Sequence, residues 1–151
     1  MLLAGLFAPR ADGPLTGRGG PVGPDAHVGA VLLVDAANVI GSRPTGWWRD
    51  RPGAARNFVD RVRAAVDDGR IAAPVVIVLE GAARSGVAAG TTDGVTVVHA
   101  TGSGDDTLLE VAADAPGSVT LVSADRALCR QAEALGATLE RPGWLLHLLD
   151  G

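Results

Sequence analysis

Four carboxylates stand where a folded chain brings side chains together: Asp35, Glu80, Asp106 and Asp125. Asp35 ends the apolar run Ala30-Val31-Leu32-Leu33-Val34, and Glu80 ends the run Val75-Val76-Ile77-Val78-Leu79. Asp125 lies two residues beyond Val119-Thr120-Leu121-Val122-Ser123. Asp106 follows Val95-Thr96-Val97-Val98-His99 across the Gly-rich turn Thr101-Gly102-Ser103-Gly104. In an open parallel sheet, ligands bind in the crevice outside the carboxyl ends of the strands, so acids far apart in sequence become neighbours there. Gathered carboxylates repel one another, and the cluster is costly unless a cation neutralises it. An all-oxygen donor set favours Mg²⁺ or Mn²⁺. Such an ion activates water and stabilises charge on a phosphate, a route to phosphodiester hydrolysis that needs no protein nucleophile. Asn38 and Ser123 stand close enough in sequence to Asp35 and Asp125 to hold a phosphate oxygen or a metal-bound water.

The elements that would position these residues follow from hydrophobic pattern. Uninterrupted β-branched runs suit strands buried on both faces, hence a parallel sheet. Four such runs are present, and Ala137-Thr138-Leu139-Glu140 is a weaker fifth. Between them lie helical patterns. Pro52 to Asp67 puts Ala55, Phe58, Val59, Val62 and Val66 on one stripe, with Pro52 suited to a first turn. Shorter helices are predicted over Asp106 to Ala113, over Asp125 to Leu135 before Gly136, and over Pro142 to Leu149. This alternation predicts an α/β domain with right-handed crossovers and helices on both faces of a mainly parallel sheet of four to five strands. The domain is expected over residues 28–151, and residues 1–27, rich in Gly and Pro without periodicity, read as a disordered leader.

Composition closes several alternatives. The 151 residues fit one domain, and the formal net charge of −4 argues against coating nucleic acid by bulk attraction, while allowing a local basic patch. Every basic residue is Arg. Without a Lys, Walker-type phosphate loops, Schiff-base chemistry and phosphoacceptor receiver domains are excluded. Cys129 is the only cysteine, which excludes an internal disulfide and a Cys-based zinc site and suits a cytoplasmic protein. No apolar run reaches membrane-spanning length, and the short apolar start lacks the preceding positive charge of a signal peptide.

Three stretches resemble the motifs of the NYN domain family, PIN-like metal-dependent ribonucleases. Val34-Asp35-Ala36-Ala37-Asn38-Val39-Ile40 looks like the first, Gly104-Asp105-Asp106-Thr107-Leu108-Leu109-Glu110 like the central one, and Val122-Ser123-Ala124-Asp125-Arg126-Ala127-Leu128 like the late one. They occur in the family order and span the chain from about Val28 to its end. The resemblance implies a three-layer α/β/α, PIN-like (Rossmann-like) fold, Mg²⁺ or Mn²⁺ as cofactor, and endonucleolytic action on RNA. It assigns ligand roles to Asp35, Asp106 and Asp125, extends them to Glu80 by its place after the second strand, and leaves Asp105 auxiliary. Ala36-Ala37 stands where the family has Gly or Tyr. Domains of this kind often pair, so a homodimer belongs to the same set of expectations.

The segment from Ile40 to Pro52 follows the first strand and should overhang the crevice. It combines Arg43, Arg49 and Arg51 with Trp47 and Trp48, and Arg84 lies just beyond Glu80. Arg clamps phosphate and aromatic rings stack on unpaired bases, a composition suited to single-stranded RNA. Plainer roles compete. Asp106 and Asp125 each precede a helix and would serve as N-caps, and Asp105 suits a first helical turn. Trp47 and Trp48 would serve as half-buried packing residues. His99 and His147 read as ordinary partly buried histidines, and Cys129 as core. The competing function is a non-catalytic RNA-binding domain with the same fold. An aspartyl phosphatase would want an acid at position 37, where this chain has Ala.

Overall fold

The computed structural model describes residues 30–151, so the leader read over residues 1–27 lies outside the described residues. The chain alternates strand and helix: β1 (Val31–Asp35), α1 (Ala36–Gly41), α2 (Arg51–Asp67), β2 (Val75–Leu79), β3 (Gly90–Thr92), β4 (Val95–His99), α3 (Gly104–Asp114), β5 (Val119–Val122), α4 (Arg126–Ala134), β6 (Thr138–Glu140) and α5 (Pro142–Asp150). Two short 3₁₀ turns, Trp47–Arg49 and Gly81–Gly86, follow α1 and β2. The sheet order is β3-β4-β2-β1-β5-β6, parallel except for the β3–β4 pair.

The apolar runs become strands because both of their faces are covered. Every residue of β1 is buried. Side chains alternate along a strand, so Leu32 and Val34 face one layer while Val31 and Leu33 face the other. On the first side they meet Phe58, Val59 and Val62 of α2 and Leu145 and Leu149 of α5. On the second they meet Leu108 and Val111 of α3 and Leu128 and Ala132 of α4. The result is a three-layer α/β/α domain. A full apolar side chain removed from water stabilises by roughly 1.5–3 kcal/mol, so a one-residue slip of β1 would exchange both layers' contacts at once. That pins Asp35, the last residue of the strand, at the carboxyl edge.

The sheet has six strands rather than four to five. The additional one, β3, forms a hairpin with β4 through Asp93-Gly94, both with positive φ (50° and 85°). An Asp-Gly pair in that conformation matches the right-handed twist of the flanking strands. The weak fifth strand is β6, paired in parallel with β5. Two helix boundaries also differ from expectation. The residues after Asp35 form the short helix α1, and α3 starts at Gly104, capped by Ser103 rather than by Asp106. Ser103 Oγ accepts from the Asp106 N–H at 3.4 Å. The predicted cap at Asp125 does form, with Leu128 N–H donating to Oδ1 at 3.1 Å.

Candidate active site

β1 is flanked by β2 and β5, so their carboxyl ends lie side by side. The ends of β1 and β5 are tied together by polar side chains. Asp35 is buried and N-caps α1, its Oδ1 accepting from the Asn38 N–H at 3.3 Å. Its Oδ2 accepts from the Ser123 hydroxyl at 2.8 Å. The same Ser123 oxygen accepts the Asp125 N–H at 3.1 Å. Asn38 Oδ1 accepts from the Ala124 N–H at 3.0 Å, a second link between the two strand ends. Asn38 and Ser123 therefore position the edge: one holds the β5–α4 turn, the other holds the Asp35 carboxylate. The Ser123–Asp35 bond is buried, and leaving either group unpaired there would cost on the order of 1–3 kcal/mol.

On the other side of β1, Glu80 follows β2 and accepts from the Gly104 N–H at 2.6 Å, its carboxylate set against the first turn of α3. That placement suits an anion, because the first amides of a helix lack intrahelical partners and carry positive partial charge. A side chain at position 104 would collide with the Glu80 carboxylate, so only Gly admits this approach.

The acids feel one another. Burial pushes the Asp35 carboxyl above the ordinary carboxylate range; the Ser123 and Asn38 hydrogen bonds pull it back, and the negative charges of Asp105 and Glu80 raise it further. Burial likewise raises Asp105, and Asp125, Glu80 and Asp106 add to the rise. Asp105 is thus the residue whose field links Asp35, Glu80 and Asp125, whereas Asp106 is exposed. With Ser103 as the cap, Asp105 sits in the first turn beside Gly104. None of the ion pairs among the described residues involves these acids; the pairs are Arg43–Asp150, Arg61–Asp150 and Arg70–Asp68. Among the described residues no three acidic, His or Cys side chains are already grouped as a ligand set. Chemically the side chains are all carboxylates that repel one another, the donor type a hard divalent cation would take.

The aromatic–arginine segment divides. Trp47 and Trp48 meet edge to face, centroids 5.7 Å apart at 88°. The Arg49 guanidinium lies 5.8 Å over the Trp48 ring and that of Arg51 lies 5.2 Å over Trp47. Trp48 is 49% exposed. Trp47 and Arg51 border a cleft of about 320 Å³ that reaches Glu80 and Ser103. Arg43, by contrast, turns toward the C-terminal helix, paired with Asp150 at 2.9 Å beside Arg61 at 2.7 Å. Arg84 donates to the Gly81 and Ala100 carbonyls at 3.0 and 3.1 Å, bracing the turn after β2. On the opposite flank, Arg126 and Arg141 border a hollow with Ser123 and Ala124. Neither was marked by the sequence reading. Each follows an acid, Asp125 or Glu140, at a sheet edge, and only the β5–β6 pairing brings the two Arg residues together.

No family model matches the chain, and no curated protein is similar to it in sequence. Among solved structures it is similar to Rae1 (YacP) from Bacillus subtilis, determined as the W164L mutant. The TM-score is 0.58 at 17% identity, over 80% of this chain and 74% of Rae1. At that identity the likeness establishes the α/β fold.

Proposed function

We propose that this chain is a divalent-metal-dependent ribonuclease that hydrolyses phosphodiester bonds of RNA at the carboxyl edge of its sheet, using Mg²⁺ or Mn²⁺. One observation carries the reading. Asp35 is buried with a Ser123 hydroxyl on one oxygen, in the field of Asp105 and Glu80, and among the described residues no ion pair reaches the cluster. The motif resemblance to NYN domains and the fold likeness to Rae1 support it.

Asp35, Glu80, Asp105, Asp106 and Asp125 are the oxygen donors for the ion. When bound, a divalent ion of this kind lowers the pKa of water and stabilises charge on phosphate oxygens. The chain's own contribution is positional. Ser123 and the Asn38 amide hold Asp35 in one orientation, and the Gly104 amide holds Glu80. Asp105 lies in the first turn of α3, partly buried beside Gly104, and brings its carboxylate to the same edge. Arg51, at the cleft, and Arg49, over the Trp48 ring, supply positive charge for the RNA backbone.

The test is cleavage of a panel of single-stranded and structured RNAs across a Mg²⁺ and Mn²⁺ titration, with Asp35→Asn, Asp105→Asn and Asp106→Asn beside wild type. Metal-dependent cleavage that EDTA and Asp35→Asn both abolish is expected. Full cleavage by Asp35→Asn would overturn the site. The second reading, a non-catalytic RNA-binding domain, draws on the acids not being grouped as a ready ligand set. It predicts RNA binding with no cleavage at any metal concentration.

A further inference from the structure

We propose that the cleft bordered by Trp47 and Arg51 is a nucleobase subsite that seats one unpaired base next to the acidic edge. The proposal rests on RNA being the substrate, and it adds where a base of that RNA is held. The cleft, about 320 Å³, lies at the small end of the range for ligand sites. Its lining is apolar and mostly small, with Ala36, Ala37, Ala83, Ile40 and Leu79, and this leaves a slot suited to a flat ring rather than a bulky chain. One wall is already a stack: the Arg51 guanidinium lies 5.2 Å over the Trp47 ring. A base continues such a stack, since guanidinium planes and indole rings both accept a π face.

Besides Arg51, the charged and hydroxyl-bearing residues of the lining are Glu80 and Ser103. Both also belong to the start of α3, where Glu80 accepts the Gly104 amide and Ser103 caps the helix. The slot therefore opens onto the acids, and a base within it keeps its adjoining phosphate beside them. Arg51 supplies the matching positive charge. Trp48 is a built-in contrast, since it is half exposed and does not border this cleft.

The experiment is calorimetric titration of the full chain, in EDTA, with the four ribonucleoside 5′-monophosphates and with ribose 5-phosphate. The nucleotides should bind at least about tenfold more tightly than ribose 5-phosphate, and Trp47→Ala should erase that margin. Trp48→Ala should leave it within about twofold. Ala83→Leu, which fills the slot without removing the half-buried indole, should also erase it, and near-UV circular dichroism reports whether each variant keeps its packing. Equal affinity for nucleotides and ribose 5-phosphate, or nucleotide binding indifferent to both Trp47→Ala and Ala83→Leu, would overturn the subsite. The two readings fail separately. Base-dependent binding without cleavage under any metal condition keeps the subsite and removes the nuclease. Metal-dependent cleavage with base-independent nucleotide binding does the reverse.

Discussion

Burial disfavours the charged form of Asp35, the Ser123 and Asn38 donors favour it, and the field of its neighbours works against them. The sign of the resulting pH dependence follows. A folded-state pKa above the unfolded value means that the ionised form is disfavoured by folding, so the contribution to stability is best below the unfolded pKa and is lost as pH rises through the folded one. Asp35→Asn, assayed in EDTA, should therefore be more stable than wild type to urea at neutral pH. The advantage should shrink as pH falls through the raised Asp35 range. A variant less stable at neutral pH would contradict the assignment of burial as the dominant cause. Ser123 is the complementary case, since it orients Asp35 and holds the Asp125 amide. Ser123→Ala should lower cleavage by about 10- to 100-fold, the usual range for a group that orients a metal ligand. Ser123→Thr, which keeps the hydroxyl, should recover part of it, and the pH profile of the Ala variant should shift upward with Asp35.

At the scale of elements, the acid edge depends on where α3 begins. Ser103 caps the helix and Gly104 admits the Glu80 carboxylate. Gly104→Ala improves helix propensity by up to about 1 kcal/mol but forces Glu80 aside. Global unfolding by urea should change little while metal-dependent cleavage falls several-fold. A variant with wild-type cleavage would show that the Glu80 tie is dispensable. The strands were legible because their pattern is redundant: in β1 and β2 every residue is buried, and each adjacent residue points to a different layer. Leu33 is fully buried, so Leu33→Ala should cost about 2–5 kcal/mol by urea unfolding. The β3 strand was overlooked because its three residues are all exposed and carry no hydrophobic signal. The local feature that forms it is the Asp93-Gly94 turn, whose positive φ angles close the hairpin with β4.

For the whole molecule, the balance of charge sets how RNA would be held. The chain carries a formal net charge of −4, and Arg43, Arg61 and Arg70 are engaged in ion pairs. With Arg49 and Arg51 as the principal contacts, the slope of log affinity for single-stranded RNA against log salt should be about −1 to −2. A slope several times steeper would mean that a broader basic track, such as one through Arg126 and Arg141, carries the strand. Fluorescence anisotropy of a labelled oligonucleotide, measured with Asp35→Asn to prevent cleavage, reads this directly.

The order of buried strands and amphipathic helices, and the positions of acids just past the strand ends, were determined by the sequence alone, because periodicity and β-branched runs act locally and repeat. Which acid turns inward was decided by the tertiary structure. Asp105 is partly buried and Asp106 exposed, because Ser103 caps a helix that starts at Gly104. The same holds for the arginines. Arg43 lies near Trp47 in sequence yet pairs with Asp150, 107 residues away, while Arg51 stays beside the cleft. Long side chains are placed by partners that only the closed layers bring within reach, and no local pattern encodes such a meeting.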